Sequence, residues 1–376
     1  MAVELGHKIK PPFLDFFAGS GLVTEALKRD FKPVWANDIC KKKAAVFKAN
    51  HPAEILHVGP VECIKGNEIP FGVLSWASFP CQDLSLAGNM NGIASTRSGL
   101  VWQWIRVMDE MPQKSPIVVA ENVIGLVSAA QGEHYKRLHN SLVERGYRVG
   151  ALVLDAAYWV PQSRQRVFVV GVDEGIDTNV NELDAPSWCH PKNVQQAAKG
   201  LKNWVWWRLE RPKSREIALR NIISLNEPWD DPKKTEYILS LIPVNHRRRM
   251  ELAAENGFNV FTGYRRIRNG RQVLEIRFDG LAGCLRTPNG GSSRQVVVAR
   301  IGYEYKTRLL TVAEAAALMG VRKSYKLPGS YNDGYRAMGD AVAVPAAQYL
   351  SRNLLAPLAK KAFKFEVCLE KPAQNA

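Results

Sequence analysis

Short apolar runs punctuate the first 175 positions, each followed by a turn or a polar helix pattern. "PPFLDFF" reads as a buried strand over Phe13 to Phe17. It is followed by a turn at Ala18-Gly19-Ser20-Gly21 and a helix from about Leu22 to Arg29. "KPVWANDI" reads as a second strand ending at Asp38, and a lysine-rich helix follows it and stops before His51-Pro52. "FGVLSWASFP" is a third apolar run, closed by Pro80, and "SPIVVAENV" is a β-branched strand ending at Glu121. "HYKRLHNSLVERGY" has helical spacing and stops at Gly146. "RVGALVLDAAYW" and "RQRVFVVGV" read as two late strands. Strands alternating with helices predict an α/β fold with a mainly parallel sheet. Ligands of such sheets bind beyond the carboxyl ends of the strands, which is where the chemically interesting segments fall.

The pattern changes near residue 175. "DEGIDTNVNELDAPSWCHPKN" is polar and irregular, and periodicity stays weak to about 300. Aromatic–basic clusters occupy this stretch, among them "NWVWWRLERPKSR", "NHRRRM" and "GYRRIRNGRQ". Helical spacing returns at "TVAEAAALMG" and again at "VAVPAAQYLSRNLLAPLAKKAF". The expected division is 1–175 as a catalytic and cofactor-binding unit, 176–329 as a smaller unit, and 330–376 as a helical return to the first. The final "EKPAQNA" reads as a loose tail.

Composition sharpens this picture. Lysine and arginine number 51 against 36 aspartates and glutamates, a net charge of +15, which favours an anionic partner, nucleic acid first. Residues 201–280 carry 16 basic and 10 acidic side chains, and 281–376 carry 14 and 6. There is no apolar run of transmembrane length, and the start lacks the basic-then-apolar order of a secretory signal. A soluble, cytoplasmic chain is expected. The six cysteines, Cys40, Cys63, Cys81, Cys189, Cys284 and Cys368, show no CxxC spacing, so neither a zinc ribbon nor a redox pair is expected.

Four segments carry candidate chemistry. The glycine turn after the first strand allows a close backbone approach to a cofactor, and Asp38 after the next strand can accept from ribose hydroxyls. "SFPCQDLS" places Cys81 on a loop after an apolar strand. A thiolate there can add to carbon 6 of a cytosine, make carbon 5 nucleophilic, and leave again by elimination. In "AENV", Glu121 can grip a pyrimidine edge and favour ring protonation. In "PQSRQRVF", Arg164 and Arg166 alternate into a strand and can share one face. One would hold the pyrimidine carbonyl or Glu121, the other a phosphate. Each feature also has an ordinary explanation: a tight turn, a buried loop cysteine, a capping carboxylate, solvated strand-edge arginines.

Together they are specific. In this order "FLDFFAGSG", "FPCQDLS", "ENV", "QSRQR", "RLLTVAEAAALMG" and "GDAVAVP" resemble the motifs of the carbon-5 cytosine DNA methyltransferases of bacteria and phages. The resemblance covers about 12–175 and 282–350, and skips the middle, which in that family is the variable target-recognition region. It implies a Rossmann-like S-adenosylmethionine-dependent methyltransferase fold with a smaller, irregular target-recognition domain. It further implies methyl transfer from S-adenosylmethionine to carbon 5 of a cytosine flipped out of double-stranded DNA within a short specific sequence, by a monomer that needs no metal or membrane. By this resemblance Cys81 is the nucleophile, Glu121 grips the cytosine, and Arg164 and Arg166 are the active-site arginines. Phe17, Ala18, Gly19, Ser20 and Gly21 form the cofactor turn, Asp38 binds ribose and Ile39 flanks the adenine. Pro80, Leu100, Asp340 and Ala341 complete the cofactor pocket.

The chain departs from the family pattern at four positions. Asp38 stands where glutamate is usual, Pro60 where an aspartate reaches the adenine amine, Asp340 where asparagine is usual, and Trp159 where a glycine is common. Two rivals stay open on sequence: an RNA cytosine methyltransferase of the same fold, and a silent DNA-binding relative. The long basic middle favours the DNA enzyme over the first, and the intact "PCQ", "ENV" and "QSRQR" speak against the second. An amino-group methyltransferase is disfavoured, because no "DPPY"-like loop is present.

Overall fold

The computed structural model describes residues 9–80, 99–287 and 293–369. Its centre is a seven-stranded sheet made from β1 (Pro12–Phe16), β2 (Lys32–Asp38), β3 (Leu56–Val58), β4 (Leu74–Ala77), β5 (Ile117–Asn122), β6 (Tyr147–Asp155) and β7 (Gln165–Asp173). The strand order is β3-β2-β1-β4-β5-β7-β6. The first five strands pair in parallel, and β7 runs antiparallel to both β5 and β6. β1 therefore lies between β2 and β4, and the chain leaves it in opposite directions on its two sides. That switch point is where such a sheet opens a ligand crevice.

The near-continuous apolar strands follow from burial on both faces. Phe13, Leu74, Trp76, Val119, Phe168 and Val170 belong to one core layer, and Leu14, Phe16, Ala77, Val118, Val167 and Val169 to the other. Helices α1 (Leu22–Leu27), α2 (Lys41–Asn50), α3 (Leu100–Glu110), α4 (Gly125–Ser128) and α5 (Glu133–Val143) connect these strands. The first strand ends one residue earlier than its apolar run, because Phe17 takes a left-handed backbone (φ 57°) and starts the turn.

Beyond β7 the chain first stays on the large sheet. α6 (Lys192–Ala197) contributes Val194 and Ala197 to one core layer, and a short ribbon of β8 (Glu182–Leu183) and β9 (Trp206–Trp207) pairs nearby. Trp207 is fully buried and donates its indole N–H to Val170 O at 3.1 Å. Helices α7 (Pro232–Ser240) and α8 (Val244–Glu255) then lead into a four-stranded antiparallel sheet. Its strands are β10 (Val260–Arg268), β11 (Arg271–Ile276), β12 (Gln295–Ile301) and β13 (Glu304–Leu309), in the order β11-β10-β12-β13. Ile238, Met250, Phe261, Leu274 and Val298 form its separate core.

The chain returns through α9 (Val312–Leu318), α10 (Tyr331–Gly339), α11 (Val344–Leu350) and α12 (Ala356–Leu369). A capping box opens α9: Thr311 Oγ1 accepts from Glu314 N, and the Glu314 carboxylate accepts from Thr311 N. Ala315, Leu318, Met338, Ala347 and Leu350 join the layer that covers Phe13 and Trp76. No helix of the described residues is long and apolar enough to cross a membrane.

Candidate active site

The turn after β1 is the most constrained backbone of the site. Phe17, Gly19 and Gly21 all have positive φ, at 57°, 56° and 80°. At Gly21 the requirement is also steric, since a Cβ would stand 2.6 Å from the His51 ring and 2.8 Å from the Phe47 ring. The turn is tied on three sides. Ala18 N donates to Asn37 O on β2 at 2.9 Å, Ser20 Oγ donates to Ala337 O on α10 at 3.0 Å, and the Tyr325 hydroxyl donates to Ser20 O at 2.5 Å. His51 lies against the Tyr325 hydroxyl at 3.1 Å, and burial pushes its imidazole down to about 4, so it is neutral there. Below the turn, the buried Asp15 accepts from Thr24 Oγ1 at 2.7 Å. Its carboxyl is raised to about 7 by burial.

Asp38 closes the other wall. Its two carboxylate oxygens accept from Gly19 N at 2.8 Å and from Cys40 N at 2.7 Å. Each oxygen keeps a lone pair for a ligand. The turn and Asp38 border a cavity of about 790 Å³ at the switch point, a volume suited to a nucleoside-sized ligand. Phe17, Ala18, Gly19, Ser20, Asp38 and Ile39 line it, and so do Pro80, Leu100, Asp340 and Ala341. Ile39 is 67% exposed, as befits a residue at the mouth. Gly21 is not on the wall; it shapes the turn from behind. Pro60 and Val61 also line the cavity, and Glu62 brings a carboxylate to it.

Glu121 and Arg166 face the same cavity from β5 and β7. Because these strands are antiparallel neighbours, the two side chains meet, with Arg166 Nε 3.1 Å from a Glu121 oxygen. Burial raises the Glu121 carboxyl above the usual carboxylate range, against the lowering pull of Arg166, Arg164 and Ser78. Asn122, next along β5, donates to Phe79 O at 2.9 Å and so ties β5 to the Ser78-Phe79-Pro80 segment. Cys81, the expected nucleophile, lies outside the described residues. The Ser78-Phe79-Pro80 segment that leads to it lines the cavity.

Arg164 corrects the expectation of two arginines on one open face. Its side chain is 1% exposed, and its guanidinium is turned inward. It donates to Cys284 Sγ at 3.3 Å, to Leu285 O at 3.0 Å, to Gly339 O at 2.9 Å and to Ala341 O. Arg166 takes the position beside Glu121, while Arg164 braces two loops and is not available to a phosphate. Burial lowers its guanidinium to about 10, which leaves it charged at neutral pH.

Residues that sequence reasoning passed over complete the site. Lys43 pairs with Asp340 at 2.6 Å beside the glycine turn, and Thr287 Oγ1 donates to the same carboxylate. Gln162 is fully buried, donating to Leu318 O at 2.7 Å and accepting from Leu285 N at 3.0 Å. Lys43 sits in a run of three lysines that looks like a solvated helix face, so nothing in the sequence marks it. Gln162 lies within "PQSRQR", where the arginines draw the eye. Among the described residues, no group of three or more His, Cys, Asp or Glu is placed to hold a metal ion.

Comparison with known proteins shows the family. The family model for C-5 cytosine-specific DNA methylases matches residues 12–356. The chain is 39% identical over 348 residues to the type II methyltransferase M.MthTI of Methanothermobacter thermautotrophicus, covering 90% of this chain and 95% of that protein. It is 27% identical over 356 residues to the type II methyltransferase M.FnuDI of Fusobacterium nucleatum, covering 93% and 95%. In fold, it resembles the crystal structure of the S. pombe Dnmt2 methyltransferase, with a TM-score of 0.61 at 15% identity, over 93% of this chain and 99% of that one.

Proposed function

This chain belongs to the C-5 cytosine-specific DNA methylases, and we propose that it methylates carbon 5 of a cytosine flipped out of double-stranded DNA, with Cys81 as nucleophile and S-adenosylmethionine as donor. The observation that carries the reading is the Glu121–Arg166 pair on the wall of a nucleoside-sized cavity, beside the Phe79-Pro80 segment that runs into Cys81.

The cavity fits the donor. Asp38 offers free lone pairs for ribose hydroxyls, Ile39 and Val61 offer apolar surface for the adenine, and the Phe17–Ser20 turn offers close backbone. Bound there, S-adenosylmethionine supplies an electrophilic methyl group. The remaining chemistry belongs to the protein. Extruding the cytosine costs a few kcal/mol in lost stacking and pairing. Glu121 takes the exocyclic amine and, because burial favours its protonated form, supports a proton at the ring nitrogen. Arg166 holds Glu121 in place and, lining the same cavity, would donate to the pyrimidine carbonyl. The Cys81 thiolate adds to carbon 6, and the electron pair this frees makes carbon 5 nucleophilic. After methylation, carbon 5 gives up its proton to solvent, that electron pair re-forms the bond between carbons 5 and 6, and the bond from Cys81 to carbon 6 breaks, which restores the aromatic ring and the thiolate.

In this reading the target-recognition surface lies within residues 176–329, whose first segment and α9 pack on the large sheet while α7, α8 and β10–β13 have their own core, 330–376 belong with the catalytic unit, and the enzyme acts as a cytoplasmic monomer. Methyl transfer to duplex plasmid DNA by wild type and Cys81→Ser, mapped by bisulfite-type sequencing, tests the proposal. Methylated cytosines in one short context, absent with Cys81→Ser, are the expected result. Full activity of a folded Cys81→Ser protein overturns the mechanism, and a preference for transfer RNA in direct competition overturns the substrate.

A further inference from the structure

A second cavity, of about 640 Å³, opens beside the β10–β11 hairpin. Arg266, Arg268, Arg277 and Arg286 line it, together with Ser163 and Cys284. The four arginines are not equivalent. Arg268 is held by Glu275 at 2.6 Å, and Arg277 is held by Asp279. Arg266 reaches Glu275 only at 3.9 Å, where Arg268 already occupies that carboxylate. Arg286 is exposed, and among the described residues no carboxylate lies in ion-pair range of it.

Arg266 and Arg286 also share a support. Both guanidinium groups lie over the ring of Tyr264, at 5.2 and 5.5 Å from its centroid. That ring is itself fixed. It is 7% exposed, its hydroxyl donates to Cys284 O at 2.5 Å, and Gly283 packs so closely that a Cβ there would stand 2.7 Å from the ring. Stacking on a rigid ring restricts an arginine's rotamers before any ligand arrives, so less entropy is lost on binding. A planar fork held in place suits two acceptors at fixed spacing; two phosphate oxygens also offer such a pair, and the salt dependence of binding separates them from a base edge. Guanine presents such a pair, O6 and N7, in the major groove.

Position says where that guanine lies. Arg286 and Thr287 are neighbours, yet Arg286 lines this basic cavity and Thr287 lines the cavity of Glu121 and Arg166. The 283–287 strand of backbone is thus a wall common to both. Arg164 fixes it from inside through Cys284 and Leu285.

We propose that Arg266 and Arg286, mounted on Tyr264, determine sequence specificity by reading a guanine directly beside the target cytosine. The inference rests on the DNA-methylating reading above. The test is bisulfite mapping of randomised duplex DNA methylated by wild type and by the Arg266→Ala, Arg266→Lys, Arg286→Ala and Arg286→Lys variants, each checked for a wild-type melting profile. A guanine adjacent to the methylated cytosine in wild type is expected. Discrimination at that position should fall about 5- to 150-fold in at least one alanine variant, with at most partial rescue by lysine, whose flexible ammonium lacks the planar fork that Tyr264 holds in place. A wild-type context without an adjacent guanine overturns the inference. So does an even loss across all contexts with a salt dependence weaker by about one counterion, the signature of a phosphate contact. No methylation in any context by the wild type overturns the methyl-transfer reading itself.

Discussion

Replacing Arg164 by methionine separates a bracing role from a catalytic one. Methionine keeps much of the side-chain volume and removes every donor. Gly339 O and Ala341 O then lose their partner, and Leu285 O keeps only the long 3.5 Å contact from the Cys284 thiol. Each buried acceptor left unpaired costs about 1–3 kcal/mol. Relaxation of the two loops recovers part of this, so a net loss of about 3–5 kcal/mol is expected. Taking ~2.1 cal/mol/K of unfolding entropy per residue over the 376 residues gives about 0.8 kcal/mol/K, so melting should fall by about 4–6 °C. Arg166→Met is the comparison. It removes the partner of Glu121, but that carboxyl is already biased by burial toward its proton and can neutralise itself. Its melting point should stay within about 2 °C of wild type, while methyl transfer collapses. Thermal melts of the three proteins in one buffer decide it. An Arg164→Met protein that melts with wild type, or an Arg166→Met protein that loses as much as Arg164→Met, refutes the division of labour.

Other substitutions probe the remaining features. Gly21→Ala, at φ 80° and 2.6 Å from His51, should lose at least about 2 kcal/mol in urea unfolding, whereas Gly59→Ala, with nothing within 4 Å, should stay within about 0.5 kcal/mol. Equal midpoints for the two would contradict the steric account of the turn. Lys43→Met breaks the pair with Asp340 beside the turn, and should weaken S-adenosylhomocysteine about fivefold in calorimetry while sparing 5′-methylthioadenosine, which lacks the charged amino-acid end. A matching loss for both ligands would assign the pair a purely structural role. Asp15 is protonated in the fold up to about pH 7 but only to about pH 3.8 when unfolded, so its contribution to stability is complete below 3.8 and is lost as pH rises through 7. Asp15→Asn should therefore gain stability relative to wild type across that range, by up to about 4 kcal/mol, and a pH-independent difference between the two counts against a buried neutral carboxyl.

Much of the large sheet could be read from the chain because its strands are buried on both faces, and burial of that kind leaves continuous apolar runs such as "FGVLSWA" and "IVVA". The same runs end at Asp38, Pro80 and Glu121, so the cavity wall follows from where the strands stop. The small sheet was harder to see. β10 is buried from Val260 to Tyr264 and then runs into Arg265, Arg266 and Arg268, and β11 buries only Leu274 and Ile276, so their apolar content is diluted. Yet the turn between them was written plainly. Asn269-Gly270 joins paired Arg268 and Arg271 with both residues at positive φ, the usual chemistry of a two-residue hairpin. Arg164 could not be placed at all from spacing. Alternation along a strand says which face a side chain leaves from, and only the loops at 284–285 and 339–341, more than a hundred residues away, decide that this face is covered.

That covering links recognition to chemistry in physical terms. One guanidinium holds both the loop that carries Arg286 and the loop that carries Asp340 and Ala341. Thr287 and Asp340 join the same two loops a second time at the cavity wall. A shift of the reading loop by a fraction of an ångström cannot be absorbed locally, because its carbonyls, the Tyr264 hydroxyl and the Arg164 fork are all engaged at once. A duplex that seats Arg286 poorly would therefore displace the wall of the cavity that holds Glu121. Loss of a correct base contact would then lower the rate of methyl transfer as well as the affinity for DNA. The Arg286→Ala protein should accordingly lose turnover on its cognate site under saturating DNA, whereas a loss confined to binding would show that the two cavities share a wall without sharing strain.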